Sequence, residues 1–366
     1  MSVDNGGARL ELTTVRGIAC VALVAYHVIG PTSASGMHLP DSSGWHYAMN
    51  SLDFLRMPIF SVVSGFVYAR HRVSREMLGG FLRKKVARLG VPLLFLTAVT
   101  LMLRRRVYGD ETSLGGALFF HYQHLWFIQA LLVLFTAIAL WDAFARPGWP
   151  ALLVAAFGSV LISRSFAVTD FLSINGAFYL APFFLFGMVL RLEDALLQRD
   201  DLVTLAAWLV GTVLLVNQAV VLLHGEPIIK TSLPAAVCGI GGSYLLLARC
   251  PKVRLFDQVG SYSYTIYLWH SVASSALRHV VERWTPMTQA MEFAALLVAG
   301  LGLPILIHRA VEGVPVLSLL MAGIRRPSRI SAREGRRIVQ DAPAAHQVLE
   351  RMPLPAPVEQ ITDFAA

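Results

Sequence analysis

Arg16 and His27 are the residues of the first apolar stretch whose side chains can do chemistry, and they stand eleven positions apart. On an α-helix that is about three turns, so both leave nearly one face, ~16 Å apart along the axis. One end of that face carries a permanent cation. The other carries an imidazole that titrates near neutral pH and can take or return a proton. Cys20, Leu23 and Val24 lie between them on the same face. Alone, Arg16 reads as a side chain snorkelling to an interface, and His27 as a hydrogen-bond partner between helices. Their shared face favours a functional pair, since a charge at membrane depth costs roughly 2.5–3.5 kcal/mol on insertion scales.

Other polar groups sit where apolar ones are expected. Asp53 and Arg56 are i, i+3 neighbours able to pair, ahead of Pro58 and Gly65 in a segment expected to kink. Arg83, Lys84, Lys85 and Arg88 form a basic cluster leading into an apolar run. Orientation and lipid-headgroup binding account for that cluster by composition alone. His124 opens an apolar run beside Trp126; an interfacial aromatic belt explains the tryptophan but not the histidine. The stretch Ser261 to His270 is rich in Ser, Thr and Tyr, as suits a helix facing a protein interior or wet cavity.

Positioning these residues falls to a membrane-embedded scaffold. Of 366 residues only 15% are charged and 55% are hydrophobic, and the mean hydropathy is +0.59. A soluble chain of this size cannot hide so much apolar surface, and intrinsic disorder, a collagen-like fibre and a coiled coil are excluded too. Spans of about 20 residues are expected at 14–30, 53–70, 87–103, 125–141, 149–163, 171–190, 202–223, 231–248, 261–281 and 291–308. The class is thus all-α, a polytopic membrane protein with about ten transmembrane helices. The apolar runs are continuous rather than alternating, against a β-barrel, and no internal repeat of the transporter type is visible. Gly239 to Gly242 reads as close helix packing.

The net charge of +8 and pI of about 9.7 would suggest nucleic acid on a soluble protein. Here the basic residues fall in loops, so no nucleic-acid partner is expected and the bilayer is the partner instead. Loop 70–88 is rich in Arg and Lys while loop 31–49 has none, which places the first in the cytoplasm and the second outside. Both termini are then cytoplasmic. Arg249, Lys252 and Arg254 agree, and Arg104, Arg105 and Arg106 dissent. Residues 1–12 carry no cleavable signal pattern. The basic, then Pro- and Ala-rich stretch 325–366 reads as a disordered cytoplasmic tail. Cys20, Cys238 and Cys250 are isolated, so neither a disulfide framework nor a metal site is expected. No G-x-S-x-G elbow, Walker loop, HExxH or credible dinucleotide fingerprint is present.

In chain order, Arg16-Gly17 with His27, Arg56-Met57-Pro58-Ile59-Phe60 with Ser64-Gly65-Phe66, Lys85-Val86-Ala87-Arg88 before Pro92, His124-Leu125-Trp126-Phe127 and Tyr267-Leu268-Trp269-His270 resemble the acyltransferase-3 family of membrane O-acyltransferases. The resemblance covers residues 10 to about 310. It implies a ten-helix enzyme, domain 13–310, that moves an acyl group, usually acetyl from acetyl-CoA, onto a hydroxyl. Acceptors in the family include surface glycans, peptidoglycan, lipid-linked oligosaccharides, Nod factors and macrolides. It also implies Arg16 and His27 as catalytic residues, with Lys85 and Arg88 at a cytoplasmic mouth where CoA binds; Arg83 and Lys84 beside them are expected to help grip its anionic end. Arg56, His124, Trp126 and His270 are expected around the substrate cavity.

One position departs from the family pattern: Thr13 stands where relatives often carry an Asp three residues before the Arg. The expectation is therefore an inner-membrane O-acetyltransferase with His27 as base, acetyl-CoA as donor substrate and a glycan or lipid-linked saccharide as acceptor. No prosthetic group or metal is expected. A macrolide-type small-molecule acyltransferase and a transporter or flippase are the alternatives.

Overall fold

Long apolar runs bounded by local stop signals lay out the chain. The computed structural model describes residues 3–5, 8–120, 122–165, 170–225, 227–284 and 287–324, so the expected tail at 325–366 lies outside the described residues. An antiparallel ribbon of two short strands, β1 (Val3–Asn5) and β2 (Ala8–Leu10), precedes the helices. Then come α1 (Leu12–Ile29), α2 (Gly44–Ser51), α3 (Asp53–Tyr68), α4 (Arg75–Lys85), α5 (Val91–Tyr108), α6 (Leu114–Phe119), α7 (Trp126–Ala145) and α8 (Trp149–Ser165). They are followed by α9 (Ile174–Leu192), α10 (Asp200–His224), α11 (Leu233–Arg249), α12 (Arg254–Ser261), α13 (Ser263–Trp284), α14 (Gln289–Val311) and α15 (Pro315–Ala322).

Helix starts carry side-chain caps: Ser43, Ser113, Ser232 and Thr288 each accept a hydrogen bond from the backbone N–H three residues on. Gly109 and Gly225 end α5 and α10 in the left-handed conformation that glycine adopts without cost. A helix stands in each of the ten expected segments. Among the described residues seven helices are long and apolar enough to cross a membrane, or eight if α11 and α12, bent by 116°, form one broken span. The protein is thus an all-α, multi-pass membrane protein. The polar α13 is not among the seven, and α8 is a shorter apolar helix. Between α4 and α5 the helix continues through a π turn at Val86–Gly90, a local widening often found near functional sites.

Helix α1 packs against α3, α12, α13 and α14, and α3 against α9 and α11. Without a strong hydrophobic drive between helices in lipid, close van der Waals approach has to hold such contacts. Glycines permit it. A Cβ on Gly17 would lie 1.9 Å from the Phe256 carbonyl oxygen, and one on Gly260 1.8 Å from that of Thr13. Gly65 and Gly187 meet the backbones of Phe184 and Val62 in the same way. Gly239 and Gly242 lie against Phe183, Pro58 and Leu55, so the Gly239 to Gly242 stretch is close helix packing.

A buried ionic knot adds direction to this packing. Asp142 on α7 accepts from the Tyr68 hydroxyl at 2.8 Å and from Arg72 Nε at 3.0 Å, and pairs with a second Arg72 nitrogen. Both carboxylate oxygens are used, which ties the end of α3 to α7. The most exposed apolar side chains, such as Trp208, Leu215 and Leu222 on α10, face outward where lipid would cover them.

Gly65→Ala is expected to cost at least about 1–3 kcal/mol through overpacking and to lower the monodisperse fraction and melting temperature in detergent. Gly302→Ala, with nothing within 4 Å of the new methyl, should leave both unchanged. Asp142→Asn should cost about 3–5 kcal/mol, because it strands Arg72 in the interior.

Candidate active site

Three imidazoles from three helices meet. His27 projects from the last turns of α1, His124 lies just ahead of α7, and His270 is on α13. The His27 and His270 ring centroids are 4.8 Å apart, those of His124 and His270 5.0 Å, and those of His27 and His124 6.0 Å. Backbone carbonyls set the tautomers of two of them. His270 Nδ1 lies 3.0 and 2.9 Å from the carbonyl oxygens of Ile266 and Tyr267. A carbonyl only accepts, so Nδ1 carries the proton and Nε2 is a bare lone pair. That Nε2 is buried and has no hydrogen-bond partner. His124 Nε2 donates to the Leu268 carbonyl at 3.3 Å, which leaves its Nδ1 as the acceptor. The Tyr267 hydroxyl in turn donates to the His124 carbonyl oxygen. No ring nitrogen of His27 is tied in this way among the described residues.

His27 and His124 line a cavity of about 530 Å³ together with Tyr26, Arg56, Trp126, Tyr179 and Tyr267. His270 does not line it; its ring is fully buried and backs the other two. Arg56 on α3 is 5% exposed, and its guanidinium lies 3.4 Å over the Tyr26 ring while ion-pairing with Asp53. Its Nε is buried without a partner. The site therefore holds an untethered imidazole, two neighbouring rings of fixed tautomer and a desolvated cation. Among the described residues no group of three or more His, Cys, Asp or Glu is arranged to hold a metal.

Far from the triad, Arg16 sits near the start of α1. It donates to the Thr13 hydroxyl at 3.5 Å, so the residue standing in for the usual Asp still contacts the guanidinium. Arg16 Nε is buried and unpartnered, and Arg88 and Asp257 are its electrostatic neighbours. Arg88 is exposed at the π turn, where its carbonyl accepts from the Tyr264 hydroxyl at 2.7 Å. Lys85 lies 3.5 Å over the Phe135 ring, whereas Arg83 and Lys84 are exposed. The structure thus separates the expected residues into two groups at opposite ends of α1: Arg16 and Arg88 at one, and His27, Arg56, His124, Trp126 and His270 at the other.

The loop after α1 closes one side of the cavity. Arg278 on α13 donates to the Gly36 carbonyl, to His38 Nε2 at 2.8 Å and to the Tyr108 hydroxyl at 3.3 Å. His46 bridges the carbonyls of Gly30 and Pro40. Arg104, whose charge runs against the orientation rule, lines the cavity and is anchored by Asp110 at 2.9 Å. Sequence reading passed over Tyr26, Arg278 and Lys230 as cavity residues. A cation inside the ninth apolar segment was the available signal for Arg278. A second, more apolar crevice of about 320 Å³ between α5 and α13 shares Arg104, Tyr108, Gln123 and His124 with the first.

The Asp110 anchor has a definite acid limit. The hydroxyl and N–H of Thr112, then Arg104 and Tyr122, hold its carboxyl well below the usual carboxylate range. A depressed folded value contributes stability above the unfolded value, lost only as pH falls through the folded one. The loop should therefore keep its protection from hydrogen exchange at pH ~4, near the free Asp value, and Asp110→Asn should lose it at every pH.

Residues 9–309 match the family model described as an acyltransferase domain, of the acyltransferase-3 type. No curated protein and no solved structure matches the chain.

Proposed function

The chain belongs to the acyltransferase-3 family and is a multi-pass membrane protein, and on that premise we propose that it transfers acetyl from acetyl-CoA to a hydroxyl of a glycan or lipid-linked saccharide. The observation that carries the reading is the His27 ring, untethered and open to a cavity, beside a desolvated Arg56.

His27 takes the proton of the acceptor hydroxyl, and the oxygen attacks the thioester carbonyl. The C–S bond then breaks, and the thiolate of CoA leaves with the proton that His27 held. Arg56 is the nearer cation for the tetrahedral oxyanion, which assigns Arg16 to the donor rather than to the developing charge. Arg16, Lys85 and Arg88, with Arg83 and Lys84, bind the phosphates of CoA. The pantetheine arm would span the ~16 Å of α1 between Arg16 and His27. His270 and His124 pack against the His27 ring and present acceptor nitrogens towards the site. In this reading the CoA end faces the cytoplasm and the His27 end the outside of a bacterial inner membrane, which the basic loop 70–88 supports.

Thiol release from acetyl-CoA by the purified protein in nanodiscs, supplied with a panel of glycans, tests this. His27→Ala should lower acceptor-dependent release about 10²–10⁴-fold with insertion intact. Arg56→Gln should lower kcat about 10²–10³-fold. A Lys85→Ala, Arg88→Ala double variant should raise KM for acetyl-CoA with kcat little changed. Full activity in His27→Ala would remove the base assignment, and absence of both CoA binding and release would remove the acyl-transfer reading.

A further inference from the structure

The cavity that His27 opens into is rich in basic side chains. Arg56, Arg104, Lys230 and Arg278 line it, and among the described residues Asp53 is the one carboxylate in its lining. That carboxylate is taken by Arg56, and Arg104 is held by Asp110, which is not part of the lining. Lys230 is exposed and makes no hydrogen bond or ion pair among the described residues. Arg278 is 7% exposed and held in place by Gly36, His38 and Tyr108.

Arg56 and Arg104 are matched by Asp53 and Asp110, yet basic side chains still outnumber the carboxylates described around the cavity, and walls of low dielectric concentrate that field on whatever enters. An anion is favoured there. The cationic rim lies at the His27 end of α1, whereas Arg16 and Arg88 lie at the other. An acyl-CoA held by its phosphates at the far end leaves this rim unoccupied.

We propose that the acceptor is itself anionic. Lys230, Arg278 and Arg104 bind a carboxylate or phosphate on the hydroxyl-bearing acceptor, and that contact turns its hydroxyl towards His27. Arg278, fixed by its bonds to Gly36, His38 and Tyr108, contributes a positive charge of set position, and Lys230 a mobile point charge. The inference rests on the acyl-transfer reading above and names the substrate class of that site.

The test uses the full chain in nanodiscs of zwitterionic lipid, with paired probes that share hydroxyls and differ in charge. Tetragalacturonate is set against its fully methyl-esterified form, and glucose 1-phosphate against methyl glucoside. Both transfer from acetyl-CoA and probe binding by titration calorimetry are read. The charged member should be favoured at least tenfold in kcat/KM, with the preference shrinking as salt rises and screens the rim. Lys230→Glu, at an exposed position that does not threaten folding, should cut that preference at least tenfold and leave KM for acetyl-CoA within twofold. Arg278→Lys should act in the same direction. Equal use of the neutral probes, or a rise in KM for acetyl-CoA in the Lys230 variant, would overturn the proposal; the second result would mean that the rim holds the donor. Probe binding that Lys230→Glu abolishes, in a protein showing no thiol release, would uphold the anion site and sink the acyl-transfer reading instead. Thiol release with no binding of either charged probe would do the reverse.

Discussion

A hydrogen-bonding group inside a helical membrane bundle has no water to turn to, and at this site backbone carbonyls take that place. Successive carbonyls of α13 fix His270 and His124, each through one ring nitrogen. The unused nitrogen of each then has a defined character, an acceptor, because a carbonyl can only receive. His27 is left as the ring whose proton is not already committed. The same economy holds elsewhere. Asp142 uses both oxygens on Tyr68 and Arg72, and His46 sits between the carbonyls of Gly30 and Pro40.

This arrangement needs helices that approach closely enough for side chains of one to reach the backbone of another. Gly17 and Gly260 allow α1 and α12 to meet backbone to backbone, and Gly65 and Gly187 do the same for α3 and α9. Helix α1, which carries both Arg16 and His27, is thereby held close to α12 at its Arg16 end, and it packs on α3, α13 and α14 as well. Three turns of a rigid rod then separate two chemically different ends: a guanidinium near the π turn after α4, and an imidazole in a cavity.

Much of this was legible in the residues. The eleven-residue spacing of Arg16 and His27 needs only helical geometry; uninterrupted apolar runs located the helices at 125–141, 171–190, 202–223 and 231–248, and shorter or polar-marked runs the other six segments. The polar stretch from Ser261 to His270 announced a helix facing the interior, and His270 is indeed buried against the other two rings. What the residues did not reveal depends on distance across the bundle. Nothing local marks α12, an eight-residue helix that turns sharply from α11 and packs on α1. His270 was expected in the cavity wall but stands behind it. Thr13 read as a lost carboxylate, yet its hydroxyl still reaches Arg16. Arg104 read as an exception to loop charge; its partner Asp110 stands only six residues on, but its place in the cavity emerges only when α5 and α13 come together.

The polarity of α13 also bears on how the protein is made. One face carries Ser271, Ser274, Ser275 and Arg278 along with His270, and it is left out of the helices apolar enough to cross unaided. Its closest packing is with the apolar α14, and Ser274 already donates to the Leu296 carbonyl there. A helix of this kind cannot partition into lipid ahead of its neighbour without exposing that face. That face is covered only when α14 packs beside it, so the cavity wall that α13 supplies depends on a helix that follows it in the chain.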